Sequence, residues 1–363
     1  MSLVRTLAED FEKMGSEGAI FPGKVPLGPE PQLVSSCSSR RWGVILAGGD
    51  GKRLLPLTRL ICGDERPKQF CRLIGNETLL DQTRKRAQSS IAGLQTLVLL
   101  TACHRNFYSA ELAIKPCQRI IQPSNKGTAP AIIHSLLSIY AIDKDAIVAV
   151  LPSDHYFGNS ESFSATLESA FDLAAERSNS IVILGAPADR IEVEFGWIEL
   201  SSASGAKRTA SSNVHRFCEK PSFRKAQELF NAGALWNTFV MVGHVQGFLE
   251  LITSALPEIV NTLGRSRLWN GTELHIEDSL YAQIPCCDFS REALSTHPGR
   301  LVALELSGAE WNDLGRPELV MSTLRSAGLR PWWMEPRKAQ TSSSQSQNEN
   351  ADLISPAVIA MGS

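Results

Sequence analysis

The chain has 363 residues, 43% of them hydrophobic, enough apolar material to bury one large α/β core or two smaller ones. Lysine and arginine number 36 against 38 aspartates and glutamates, a formal charge of -2, so no global field exists to hold nucleic acid or an anionic membrane, and phosphate ligands must be held by local geometry. No apolar run approaches the roughly 18 residues of a membrane span, and the start of the chain lacks the pattern of a secretory signal, so a cytoplasmic protein with no membrane or nucleic-acid partner is expected.

Residues 1–41 carry glycines, prolines and serines without a sustained apolar period and read as an N-terminal arm, with room for a short helix over 3–13. Short apolar runs at 42–47, 96–101, 146–151 and 181–186 read as buried parallel strands. Helical patterns separate them. Residues 78–90 place leucines ahead of a basic face, 130–141 open on a proline suited to a first helical turn, and 162–177 repeat apolar residues at helical spacing. This βαβα order with right-handed crossovers predicts an α/β fold: a Rossmann-like, doubly wound, mixed but mostly parallel sheet flanked by helices. Its ligands belong at the carboxyl ends of the strands. Further on, 196–200 and 213–218 read as a strand pair, 238–242 as another strand and 246–254 as a helix, a half expected to bind a second substrate. The folded domain is expected to span 42–330. Residues 331–363 form a C-terminal tail expected to be largely disordered, because the Ser/Gln/Asn tract at 340–350 cannot offset its ordering entropy. The apolar stretch at 353–361 could dock on the body or on a partner.

Eight cysteines show no Cys-x-x-Cys and no zinc-finger spacing. They read as small buried hydrophobes in a reducing compartment, with adjacent Cys286 and Cys287 open to redox chemistry only if exposed. The Arg84-Lys85-Arg86 run lacks interleaved aromatics and reads as a solvated helix face rather than a nucleic-acid site.

The first strand runs into Ala47-Gly48-Gly49-Asp50-Gly51-Lys52-Arg53. Glycines at such a turn let the backbone approach an anion and present bare N–H groups to it, while Arg53 adds a planar fork for phosphate oxygens. This is not a Walker A loop, because Leu46 stands where its first glycine belongs and Arg53 where its serine or threonine belongs; Leu54 likewise breaks a dinucleotide fingerprint. A second loop, Arg66-Pro67-Lys68-Gln69-Phe70, adds a cation beside a proline. By themselves these cations read equally well as surface charges. Asp154, after an apolar strand, reads as a loop cap and Asp313 as a turn residue.

Taken together, the two loops resemble the nucleotidyltransferase signature of sugar-nucleotide pyrophosphorylases, in particular the mannose-1-phosphate guanylyltransferase family. Further segments match that family in order: Gly127-Thr128-Ala129-Pro130, Leu151-Pro152-Ser153-Asp154-His155, Phe217-Cys218-Glu219-Lys220-Pro221 and Trp311-Asn312-Asp313-Leu314-Gly315. The match covers about 42–329. The resemblance implies transfer of a nucleotidyl group from GTP to mannose 1-phosphate, with Mg²⁺ or another divalent cation held by Asp154 and Asp313. Arg53, Lys68 and Asp154 become the catalytic candidates. Ala47, Gly48, Gly49, Gly51, Thr128, Ala129 and Pro130 become the nucleotide readers, and Glu199, Lys220 and Asn237 the sugar-phosphate readers. His155 either tunes its neighbour Asp154 or is simply structural. Trp197 departs from the family's usual tyrosine, and Thr238-Phe239 from its Ser-Gly, which leaves the sugar less defined than the reaction. The alternatives are the same chemistry on another pair, such as glucose 1-phosphate with UTP or dTTP, and a catalytically silent sensor of the nucleotide sugar. A homo-oligomer is compatible with all of these.

Overall fold

The computed structural model describes residues 40–114, 118–201, 211–266 and 273–334. The N-terminal arm up to residue 39, its expected short helix, the polar tail tract and both Cys37 and Cys117 lie outside the described residues. Among the described residues, no helix is long and apolar enough to cross a membrane.

In chain order the elements are β1 (Arg41–Leu46), α1 (Leu55–Cys62), α2 (Leu79–Ala87), β2 (Thr96–Thr101), α3 (Arg105–Ile114), β3 (Gln118–Gln122), α4 (Thr128–Ile142), β4 (Ile147–Pro152) and β5 (Tyr156–Phe157). There follow α5 (Ser160–Glu176), β6 (Ile181–Pro187), β7 (Gly196–Leu200), β8 (Ser211–Glu219), α6 (Phe223–Asn231), β9 (Leu235–His244), α7 (Val245–Ala255) and α8 (Pro257–Leu263). The chain then adds β10 (Glu273–His275), α9 (Asp278–Ala282), β11 (Leu301–Glu305), β12 (Trp311–Asn312) and α10 (Pro317–Ser326). One ten-stranded sheet has the order β10-β3-β2-β1-β4-β9-β6-β11-β8-β7, and β5 and β12 form a separate two-stranded ladder.

The doubly wound reading holds. β10, β3, β2, β1 and β4 pair in parallel, as do β6 and β11. The long strand β9 inserts antiparallel between β4 and β6, so the parallel run is split rather than continuous. β9 also begins at Leu235, ahead of the expected 238, because Trp236 continues the buried strand against Ala186 and Trp197. Strands β3, β10 and β11 escape the apolar-run reading; each is short, and β3 starts and ends on glutamine, which hides its apolar centre.

Alternation along the central strands explains the layers. Val44, Leu97, Leu99, Val148 and Val150 face a core with α4, α7 and α8, while Ile45, Val98, Leu100, Ala149 and Leu151 face one with α2 and α5. With both faces covered, β2 and β4 are buried at every position, as a central parallel strand requires. A third cluster joins Leu54, Ile61, Cys71 and Leu73 to Leu314, Val320 and Leu324. It seats α10 against the segment that follows the glycine-rich turn, and so fixes the distant Asp313 loop near that turn.

Candidate active site

The site sits where the β1 and β4 carboxyl ends meet. The glycine-rich turn after β1 is held from below: Gln69 Nε2 donates to the carbonyls of Ala47 (3.1 Å) and Gly49 (2.7 Å). Thr101 Oγ1 donates to the Gly48 carbonyl at 2.8 Å; Gln122 Nε2 then donates to Thr101 at 2.9 Å and the Tyr281 hydroxyl to Gln122 Oε1 at 2.9 Å. This buried chain ties the turn to β2, β3 and α9. Gly51 has φ +61, and a Cβ there would stand 3.2 Å from the Lys68 backbone nitrogen, so a side chain would meet both backbone strain and the neighbouring loop. That close approach brings the two basic loops together.

Asp154 and Asp313 line the same cavity, of about 280 Å³. The short β5–β12 ladder is what joins them: Asn312 pairs with Tyr156 and Trp311 with Phe157, so the residues just after β12 face those just before β5. Lys68 lies between. Its Nζ is 3.2 Å from Asp154 Oδ2 and donates to the Asp313 carbonyl at 2.5 Å. The Asp313 carboxylate is steadied by the Gly315 N–H, which donates to Oδ1 at 2.8 Å. Burial works to raise the Asp154 carboxyl, but Lys68 and His155 bring it net below the usual carboxylate value. It is therefore an anion at neutral pH.

His155 is 3.8 Å from Asp154 through Nε2, and its Nδ1 accepts from Trp311 Nε1 at 3.2 Å while lying 3.1 Å from the Thr238 carbonyl. An indole only donates, so the Trp311 contact needs the neutral ring. Burial, the first cause, holds this histidine below its ordinary value and favours that form.

A second opening, of about 350 Å³, is lined by Asp50, Gly51, Lys52, Arg53, Lys68, Asn125, Asp154 and Gly315. Asp154 thus borders both this opening and the first cavity, whereas Lys68 lines only the opening beside the basic turn. Arg53 is held by Glu194 at 3.2 Å. Gly49 and Thr128 line the first cavity, whereas Ala47, Gly48, Ala129 and Pro130 are not among its lining residues and Ala47 and Ala129 are fully buried. Thr128 is fixed by the Phe289 N–H donating to its Oγ1 at 2.8 Å. Asp50, Cys103 and His104 also bring one donor atom each within 4.8 Å of one another behind the turn.

On the far wall stand Gly196, Glu219, Asn237 and Phe239. Glu199 does not join them. It lies on the strand face shared with Trp197, beside Arg216, whose Nε is 3.7 Å away, because strand alternation turns it from the Gly196 face. Glu219, opposite Gly196 in the ladder, occupies the cavity wall in its place. Burial pushes its carboxyl up to about 7, with Asp288 adding to the rise against Lys220 and Arg291. The signal for Glu219 lies in the Glu219-Lys220-Pro221 motif, where the lysine draws the reading to itself. Lys220 itself is exposed, with φ +47, and is not among the cavity's lining residues. Trp197 is fully buried and donates through Nε1 to the Glu192 carbonyl at 2.8 Å, so its bulk repacks the core and leaves the cavity untouched. Phe239 is the opposite case. It has φ +61, its N–H donates to Asn237 Oδ1 at 3.0 Å, and its ring lines the cavity.

The family model for nucleotidyl transferases matches residues 42–323. The chain belongs to the nucleotidyl transferase family. It is 34% identical over 283 residues to an alginate biosynthesis protein, AlgA, of Pseudomonas fluorescens, a match covering 75% of this chain and 56% of that protein. It is 26% identical over 282 residues to a mannose-1-phosphate guanylyltransferase of Escherichia coli, covering 75% and 59%. The chain thus spans little more than half the length of these relatives. A solved structure described as a mannose-1-phosphate geranyltransferase of Thermus thermophilus superposes with a TM-score of 0.64 at 26% identity, covering 76% of each chain. In a nucleotidyl transferase, phosphate-binding groups must surround a reacting phosphorus, and in this member Asp154 borders both openings, with Asp313 lining one and Lys68 the other.

Proposed function

We propose that this chain transfers a guanylyl group from GTP to mannose 1-phosphate, yielding GDP-mannose and pyrophosphate. The observation that carries this reading is the convergence of Asp154 and Asp313 on one cavity with Lys68 bridging them. The relatives support the sugar and the base, since mannose 1-phosphate and guanylyl transfer appear in the name of one of them.

The nucleophile is a phosphate oxygen already ionised near neutral pH, so no general base is needed. The residues have to bring two anions together, hold them in line and neutralise charge that moves onto pyrophosphate. Arg53 and Lys68 take the triphosphate, entering from the opening lined by Gly51 and Lys52. Lys68 exchanges its contact with Asp154 for a phosphate oxygen as substrate enters. Gly49 and Thr128 face the nucleoside. Lys220, exposed on a left-handed turn next to the cavity-lining Glu219, meets the sugar phosphate, and Glu219 and Asn237 offer acceptors and a donor to the sugar hydroxyls. Asp154 and Asp313 present hard oxygen donors on one cavity, which suits Mg²⁺; bound there, such an ion would offset phosphate charge.

Pyrophosphate release measured with GTP, ATP, UTP and dTTP, each against mannose and glucose 1-phosphates, tests the reading. GTP with mannose 1-phosphate is expected to turn over fastest. Faster turnover of UTP or dTTP with glucose 1-phosphate would replace the substrate pair, and tight nucleotide binding with no turnover on any pair would make the protein a sensor. Asp313→Ala is expected to cut kcat by about 10²–10³-fold with little loss of Tm; an equal collapse of both would make Asp313 a turn residue.

A further inference from the structure

Two thiols stand against each other directly behind Lys68. Cys62 ends α1 and Cys71 closes the Lys68–Phe70 turn, and their Sγ atoms are 3.1 Å apart. A disulfide bond is about 2.0 Å long, so about 1 Å of approach would close it. The pair is asymmetric. Cys71 is fully buried in the cluster with Leu54, Ile61 and Leu73, while Cys62 is part exposed. The partner thiol and then Arg66 draw Cys62 down to about 7 against its burial, whereas the contact with Cys62 and burial push Cys71 up. One sulfur is thus both reachable and nucleophilic at neutral pH, and the other waits behind it.

The backbone connects this pair to the two cationic loops. The Cys71 N–H donates to the Lys68 carbonyl at 3.0 Å, and α1, which ends on Cys62, begins two residues after Arg53. We propose that Cys62 and Cys71 form a reversible intramolecular disulfide that locks the Lys68 turn to α1 and slows the enzyme, with a low-molecular-weight disulfide such as oxidised glutathione as the oxidant. The Cys62 thiolate attacks one sulfur of oxidised glutathione, breaks its S–S bond and expels one glutathione as thiolate. The Cys71 thiol gives up its proton to that thiolate and attacks Cys62 Sγ, expelling the second glutathione, which takes a proton from solvent in place of the one Cys62 had released. The protein loses two electrons and two protons, and one oxidised glutathione becomes two thiols. Closing the bond draws residue 71 toward α1. Lys68 is then held back from leaving Asp154 for an incoming phosphate, a displacement that nucleotidyl transfer tolerates poorly because the reacting groups must align.

The test uses the full chain, reduced and then exposed to graded mixtures of reduced and oxidised glutathione. Free thiols are counted by mass after alkylation, crosslinked peptides are mapped, and pyrophosphate release is followed on the same samples. Wild type is expected to lose two thiols, yield a Cys62–Cys71 crosslinked peptide, and fall at least about tenfold in turnover, with full recovery on adding dithiothreitol. Cys62→Ser, at a part-exposed position outside the substrate-contacting set, is expected to keep its turnover throughout. Retention of both thiols, glutathione remaining on Cys62 without closure, closure with unchanged turnover, or equal inhibition of Cys62→Ser would each overturn the proposal. The thiol count and peptide map do not depend on the substrate pair, so failure there is separate from failure of the proposed reaction.

Discussion

Phe239 shows a side chain at odds with its backbone. At φ +61 a bulky L-residue pays about 1–2 kcal/mol that glycine does not, and the Asn237 side chain that accepts its N–H holds it there. Strain of this kind concentrates at ligand-facing positions, and this ring does face the cavity. Phe239→Gly is expected to lose the ring's packing but regain the backbone term, leaving stability within about 1 kcal/mol of wild type, whereas Phe239→Ala keeps the strain and falls below the glycine variant by about 1 kcal/mol. Denaturant unfolding of the two variants checks the order; Ala above Gly would show that the turn is not strained. Both are expected to shift the sugar-phosphate KM by more than their kcat. Glu219 gives the second residue-scale prediction. Its carboxyl is raised above the unfolded value, so between about 4.5 and 7 the folded state keeps a proton the unfolded state releases. Its contribution is therefore lost as pH rises through that window. Glu219→Gln is expected to unfold at higher Tm than wild type at pH 8, with the gap shrinking toward pH 5; a gap constant with pH would contradict the raised carboxyl.

At the scale of elements, the start of α4 is the most exacting junction. Gly127 has φ +89 and a Cβ there would overlap the Cys287 carbonyl, while the next residues pair Ala129 N–H with that same carbonyl at 3.1 Å. Gly127→Ala is expected to cost about 2–3 kcal/mol and to raise the nucleotide KM through displacement of Thr128; a variant as stable as wild type would show that the 286–289 segment yields. The central strands are legible in the sequence because burial on both faces leaves unbroken apolar runs, as in β2 and β4. The shorter β3 and the β5–β12 ladder are not, since two-residue strands carry no period, and pairing between residues some 155 apart leaves no local trace. The family resemblance places Glu199 among the sugar readers. Only the register opposite Gly196 reveals that Glu219, not Glu199, lines the cavity.

Over the whole molecule, the motifs are brought together by topology rather than by proximity in the chain. Carboxyl ends of neighbouring parallel strands β1 and β4 supply the basic turn and Asp154, and the packing of α10 on the Leu54–Leu73 cluster returns Asp313 to them. Ordered motifs make the chemistry of these groups readable along the chain, but their shared cavity follows only from the fold. The central claim is that Asp154 and Asp313 hold one divalent ion at the reacting phosphates. Crystals grown with Mn²⁺ and a non-hydrolysable GTP analogue test it through the anomalous signal of the ion. One peak about 2.1 Å from an oxygen of each carboxylate and of the nucleotide is the expected result; an ion that touches the phosphates but neither aspartate, or that settles at Asp50, Cys103 and His104 instead, would contradict it.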